Sequence, residues 1–176
     1  MIHDGMSIVA CASGAHANSA IAVIRISGNF VLSDLQSVFS KPLAKIKPRM
    51  MYRSFLLSGG EKIDDICFCF FSSPASYTGE NMLELYVHGN VLNIERILGL
   101  FAHFSFVRPA KPGEFSLRAL QNKKLTLSQV EGLDLFLNAS TPLALQQGLG
   151  LLHGDLHHSY LELLEAYKLH KASVEL

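Results

Sequence analysis

The hydrophobic period of this chain changes near Lys124, and that change restricts the folds open to it. Upstream, apolar and β-branched residues gather into short runs at 7–12, 20–27, 50–57, 63–71 and 82–87. Runs of this length, broken by small polar residues, predict strands. Ser58-Gly59-Gly60-Glu61 carries the turn chemistry of a β-hairpin between the third and fourth runs. Helical spacing covers 30–39, after Gly28-Asn29, and 91–104, where apolar residues recur at 91, 94, 97, 98, 101 and 104. A short strand over 106–109 follows. Downstream, Thr126 or Ser128 caps a helix reaching Asn138, with Glu131 near its first turn. Leu145, Leu149, Leu152, Leu156, Leu163, Tyr167 and Val174 then form a helical seam. The pattern from Thr141 predicts one long helix bent near Gly154, or two helices divided there. Gly148, Gly150 and Gly154 each weaken it by about 1 kcal/mol relative to Ala. The expected class is α+β, a mixed β-sheet with packed helices over 1–122. A partial all-α helical domain covers 123–176. Its apolar seam exceeds what the neighbouring helix can cover, so either the protein oligomerises or further helices complete the bundle.

Nearly half of the residues are apolar and 17% are charged, which is the composition of folded material. Formal net charge is zero, so a broad nucleic-acid-binding face is not expected, although a local patch stays open. No leader pattern and no apolar run of transmembrane length occurs. A cytoplasmic protein without membrane attachment is the expectation. Cys67 and Cys69 share one face of a strand and read as two buried thiols. His153, His157 and His158 include one pair a helical turn apart but no convincing third ligand, so no metal site is expected.

The densest local signal is Pro112-Gly113-Glu114-Phe115-Ser116-Leu117-Arg118-Ala119-Leu120-Gln121-Asn122-Lys123-Lys124-Leu125. A Pro-Gly turn leads into a short amphipathic helix and a paired basic step. Phe115 and Leu120 read as anchors, leaving Arg118, Asn122 and Lys124 to face a partner or ligand. Residues 108–124 hold five cations (108, 111, 118, 123, 124) against Glu114, an anion-attracting sector in a neutral protein. Two charges are embedded in apolar strands: Arg25 between Ile24 and Ile26, and Glu84 between Leu83 and Leu85. Each either points outward or serves a ligand. Lys124 is either a solvated residue at a helix start or a ligand contact. His88, before Gly89, serves a turn, packing or ligand contact.

Three segments in order resemble one family, the bacterial tRNA modification GTPases MnmE or TrmE. They are Ile21-Ala22-Val23-Ile24-Arg25-Ile26-Ser27-Gly28, then Tyr77-Thr78-Gly79-Glu80-Asn81-Met82-Leu83-Glu84-Leu85 with His88-Gly89, then the Pro-Gly stretch. The resemblance runs from about Ser7 to the C-terminus. It implies a folate-binding, aminomethyltransferase-like fold that dimerises. The bound cofactor would be a one-carbon tetrahydrofolate derivative, the 5-formyl or 5,10-methylene form. Arg25, Glu84 and Lys124 occupy the positions of its ligand residues, with no catalytic residue among them. A carboxylate at 84 would accept the amino and ring N–H groups of a pterin edge. A lysine at 124 suits carboxylate or carbonyl groups.

The resemblance further implies that the whole protein is a homodimer working with a flavoprotein of the MnmG (GidA) type. Together they add an aminomethyl-type group to C5 of the tRNA wobble uridine, with tRNA an indirect partner of this part. GTP, potassium and magnesium, and the catalytic cysteine, belong to segments this chain lacks. It has no G-x-x-x-x-G-K-[ST] phosphate loop, no G-x-S-x-G and no H-E-x-x-H, so it is not expected to hydrolyse GTP alone. The loop 13–19 departs from the family's glycine-rich pattern, as do Leu120 for Phe, Lys111 for Arg and Thr126 for Asp. These departures open two further readings. One is a stand-alone folate-binding or aminomethyltransferase-like module; the other is a helical assembly protein with a decayed folate pocket.

Overall fold

A computed structural model describes residues 4–14 and 18–174, with the side chains of 155–159, 169–170 and 172–174 outside the description. It divides into two compact units, Met1–Ala119 and Leu120–Leu176. In the first, β1 (Ser7–Cys11), β2 (Ile21–Gly28), β3 (Met51–Ser58), β4 (Glu61–Phe71), β5 (Asn81–His88) and β6 (Val107–Pro109) form one sheet. The order is β3-β4-β5-β2-β1-β6. Every neighbouring pair is antiparallel except β1 with β6, so the sheet is mixed and the class is α+β. Gly59 and Gly60 close the β3–β4 hairpin with φ of 58° and 88°, the doubly left-handed turn that matches strand twist.

Side-chain alternation gives this sheet one apolar face. Ala22, Ile24 and Ile26 of β2, Leu83, Leu85 and Val87 of β5, and Ile66 and Phe68 of β4 are buried there. Helix α1 (Val91–Ala102) covers part of that face with Ile94, Ile97 and Phe101. Its N-terminus is capped by Asn90, whose side chain accepts from the backbone N–H of Leu92 and Asn93. Each large apolar side chain so buried contributes roughly 1.5–3 kcal/mol before conformational entropy is counted. The spacing at 30–39 yields a 3₁₀ helix, Leu32–Val38, rather than an α-helix. Its buried residues Leu32, Leu35 and Val38 recur every third position, which is the 3₁₀ repeat.

The basic stretch changes role once folded. Helix α2 (Glu114–Gln121) ends in a turn in which Lys123 adopts φ 57°. In the second unit, Thr126 caps α3 (Leu127–Leu137) through a reciprocal bond pair with Gln129. The seam is two helices: α4 (Pro142–His153) stops at Gly154, which takes the left-handed conformation, and α5 (Asp155–Val174) restarts after it. Leu137, Leu143, Leu145, Leu149, Leu161, Leu163 and Tyr167 remain exposed on this unit. Among the described residues no helix is long and apolar enough to cross a membrane.

Glycine in α4 proves to be a packing device. A Cβ built on Gly148 would lie 2.6 Å from the Phe136 backbone nitrogen, and one on Gly132 would lie 2.6 Å from Leu151 Cβ. The two glycines let α3 and α4 approach backbone to backbone, joined also by Gln129 Nε2 donating to the Leu152 carbonyl at 3.1 Å. Helix propensity alone would make Gly148→Ala stabilising by about 1 kcal/mol. The geometry reverses the sign: Gly148→Ala should cost about 1–3 kcal/mol through overpacking. Gly99→Ala, in open space on α1, should instead stabilise by about 0.5–1 kcal/mol. Urea titrations followed by far-UV circular dichroism check the opposite signs, and a stabilised Gly148→Ala would refute the close packing.

Candidate functional site

The sheet face opposite the core is where the strand charges emerge. Arg25 and Glu84 are directly paired in the β2–β5 register, with Ala10 and Cys69 opposite them on the outer neighbours. Directly opposed residues project to the same side, so both charges stand together on this second face. Arg25 Nε and Nη2 both donate to Glu84 Oε1, at 2.9 and 2.7 Å, while the Tyr86 hydroxyl donates to Oε2 at 3.2 Å. The Arg25 guanidinium lies 5.2 Å from the Tyr77 ring centre and 5.6 Å from that of Phe115. The Tyr77 hydroxyl and Ser116 Oγ are hydrogen-bonded at 3.0 Å. Burial, and then the neighbouring Glu84 carboxylate, push the Tyr86 phenol above its ordinary value, keeping it a donor. Two of the three predicted site residues are thus brought together as an ion pair on a central strand pair.

Lys124, the third, is exposed in the turn before α3 and belongs to the second unit. Arg118 overturns its expectation, because it is one of the largest fully buried side chains. Its Nη1 donates to Glu80 Oε1 at 3.1 Å, and its Nη2 donates to the Met6 carbonyl at 2.9 Å and to Glu114 Oε1 at 3.1 Å. Glu114 in turn receives Arg108 on both oxygens, at 2.8 and 2.7 Å, and the Lys111 N–H at 2.8 Å. Arg108 Nε also reaches Asp4, and Glu80 Oε2 accepts from Ser27 Oγ at 2.7 Å. The sector 108–124 is therefore less anion-attracting than its charge count implies, since Arg108 and Arg118 face internal carboxylates. What the network does is clamp the Thr78-Gly79-Glu80 loop and the start of α2 against the end of β2. That clamp holds Tyr77 and Phe115 in place around Arg25.

Charge pairing shows in the titration behaviour. The Arg108 guanidinium holds Glu114 at about 2 against the opposing effect of burial, with the Lys111 N–H and Arg118 assisting. His88 is anchored structurally: its Nδ1 meets Asp64 Oδ1 at 2.6 Å, and Asn93 bridges the Asp64 carboxylate and the His88 carbonyl. Burial disfavours the Asp64 charge, but bonds from His88 and Asn93 more than offset that, while Asp64 raises His88. Cys69 is buried as expected, whereas Cys67 on the same strand face is exposed. Among the described residues no group of three or more His, Cys, Asp or Glu could hold a metal ion. His153 is exposed, and the side chains of His157 and His158 lie outside the described residues.

A cleft of about 580 Å³ opens between β1, the Pro109–Gly113 segment and α1, lined by Ala10, Cys11, Leu98, Lys111 and Phe115 among others; of the groups around Arg25, Phe115 alone lines it. It is mainly apolar, as small-molecule sites are, and its lining residue Ala10 is the register partner of Arg25. This donor set fits a folate. Glu84 is an acceptor-only carboxylate for an N–H edge, Arg25 a cation for carbonyl or carboxylate oxygen, and Tyr77 and Phe115 offer aromatic faces. The loop 13–19 borders the cleft at Gly14, and its residues 15–17 lie outside the described residues.

Fold and site together define an α+β unit with a charged pair on the sheet face opposite its core. The family described as "GTP-binding protein TrmE N-terminus" matches residues 7–124, and the chain belongs to that family. The tRNA modification GTPase MnmE of Bradyrhizobium sp. (strain ORS 278) is 39% identical over 98% of this chain and 39% of its own length. That of Aquifex aeolicus (strain VF5) is 42% identical over 80% of this chain and 31% of its own length. The chain thus spans roughly a third of the curated relatives it matches.

The two ion-pair systems should differ in energy. Arg118→Ala removes a fully buried guanidinium from between Glu80 and Glu114, with Arg108 still on Glu114, and should cost about 3–5 kcal/mol. Arg25→Ala, at a more exposed pair, should cost under about 1 kcal/mol. Glu114 has its folded value depressed to about 2 from 4.5, so its stabilisation is present above pH 4.5 and is lost as pH falls toward 2. Urea midpoints measured from pH 7 to 2 should fall over that window, and fall less steeply in Glu114→Gln. Equal costs for the two arginine variants would refute the clamp.

Proposed function

We propose that this chain is the folate-binding and dimerisation portion of a tRNA modification GTPase. Its first unit takes a one-carbon tetrahydrofolate, with Glu84 accepting the N–H edge of the pterin. Arg25 serves oxygen atoms of the same ligand, and Lys124 is proposed as a ligand residue on the resemblance alone. When bound, the cofactor supplies a one-carbon unit at the level needed for an aminomethyl-type group. With a flavoprotein partner of the MnmG type, the whole cytoplasmic protein would add that group to C5 of the tRNA wobble uridine. GTP, potassium and magnesium would act in the remaining two thirds of the protein. The observation that carries the reading is the Arg25–Glu84 pair on the second sheet face, framed by Tyr77 and Phe115.

This carboxylate is engaged by Arg25 and Tyr86. Ligand N–H groups must therefore share or displace those donors. The intact pair favours a working pocket over a decayed one. A phosphate loop in the reading frame after Leu176 would separate the GTPase portion from a stand-alone module.

Glu84→Gln keeps the side-chain shape and replaces an acceptor oxygen by a donor. It should weaken 5-formyltetrahydrofolate binding by about 2–3 kcal/mol, roughly a 30- to 150-fold rise in Kd. Folding should change by less than about 1 kcal/mol, since the pair is partly solvated. Calorimetric titration with parallel thermal melts is the check. Equal affinities would remove the pterin assignment, and a collapsed melt would make Glu84 structural.

A further inference from the structure

Charge in this neutral chain is unevenly distributed. Between Asp34 and Glu61 there is no acidic residue, yet Lys41, Lys45, Lys47, Arg49 and Arg53 supply five of the fifteen cations. Arg53 is neutralised by Asp65. The ion pairs of the described residues include no carboxylate on Lys41, Lys45, Lys47 or Arg49. Lys45, Lys47 and Arg49 are exposed, and Met50 and Met51 beside them are more than half exposed.

The segment is also built. Leu43 is buried in a 3₁₀ turn, Leu43–Lys45, between Pro42 and Ile46. Gln36 fixes its entry, accepting from the Leu43 N–H at 2.7 Å and donating to the Lys41 carbonyl at 3.1 Å. The Tyr52 hydroxyl accepts the Lys47 N–H at 3.0 Å, and the Lys41 ammonium lies 5.6 Å from the Tyr52 ring centre. Arg49 holds φ 62°, with its N–H bonded to the Phe70 carbonyl at 2.7 Å and its guanidinium to that of Ala75 at 3.1 Å. A non-glycine residue in that conformation persists only where its surroundings over-determine it. A solvated lysine tail needs none of this anchoring. Ordered, unneutralised cations about a partly exposed tyrosine form the kind of surface that follows a polyphosphate backbone.

We propose that the loop 41–49 is a direct contact for the phosphodiester backbone of RNA, through Lys45 and Lys47 with Lys41 and Arg49 flanking. The choice of RNA rests on the proposed tRNA modification reading. Contacts of this kind position a nucleic acid without reading its sequence, so they suit a docking surface that serves several tRNA species.

The test is fluorescence anisotropy of the 176-residue chain with a labelled unmodified tRNA transcript, over salt from about 50 to 200 mM. Lys45→Ala/Lys47→Ala should weaken binding about ten-fold at the low end and reduce the log–log salt slope by about 2. Lys168→Ala, an exposed lysine of the second unit, should leave both unchanged. Absence of RNA binding by the wild type, equal affinities for wild type and double variant, or an equal loss from Lys168→Ala would each overturn the proposal. So would loss of binding to phosphatidylglycerol vesicles with tRNA affinity unchanged, which would assign the loop to a membrane surface. Titration of the double variant with 5-formyltetrahydrofolate separates the two readings. Folate binding should persist there, and its absence in wild type alongside lysine-dependent RNA binding would remove only the folate reading.

Discussion

The guanidinium of Arg118 joins three separate parts of the first unit. It reaches Glu80 in the loop before β5, Glu114 one turn earlier in α2, and the backbone of Met6 ahead of β1. Burying such a cation alone would be prohibitive, and each carboxylate alone would be nearly as costly. Arg108 and Asp4 extend the alternation of charges outward to solvent, so the interior holds a chain of compensated pairs. Apolar burial could stabilise the same contact equally well. The ionic version adds direction, because a planar five-donor fork accepts its partners in few arrangements. Direction matters here because Phe115 and Tyr77, which frame Arg25, ride on the two segments that Arg118 clamps.

How much of this was legible follows the range of each interaction. The Gly59-Gly60 hairpin and the Thr126 cap depend on neighbours a few residues away, and both were readable from the chain. Arg25 and Glu84 could be singled out because each interrupts an apolar strand. Their pairing could not, because it rests on a register between residues 59 apart. Arg118 was misread for the same reason: its partner Glu80 is 38 residues away, and an arginine on a short amphipathic helix ordinarily faces water. Gly148 was read as a weakness since propensity sees one helix, while its value lies in the approach of α3 to α4. The spacing of three at Leu32, Leu35 and Val38 was the available sign of 3₁₀ geometry. The basic segment 41–49 carries its signal in what is missing, a run without acids between Asp34 and Glu61.

The two arginine systems also separate stability from ligand chemistry. Arg118 is almost wholly enclosed, whereas Arg25 and Glu84 keep about a fifth and an eighth of their side-chain surface in contact with solvent. Exchange of partners is costly at the first and cheap at the second. On the proposed folate reading, the Glu84 carboxylate would present itself to an incoming N–H edge and would need a resident partner that can let go. Arg25 meets that requirement because both of its bonds fall on one oxygen, Oε1, leaving Oε2 with the single Tyr86 hydroxyl. The Tyr77 and Phe115 rings give the released guanidinium a place to remain, since a cation over aromatic faces loses less than one returned to an apolar wall. On that reading the rigid clamp and the exchangeable pair depend on each other: a partner switch at Arg25 would be orderly only while Arg118 keeps the rings beside it fixed.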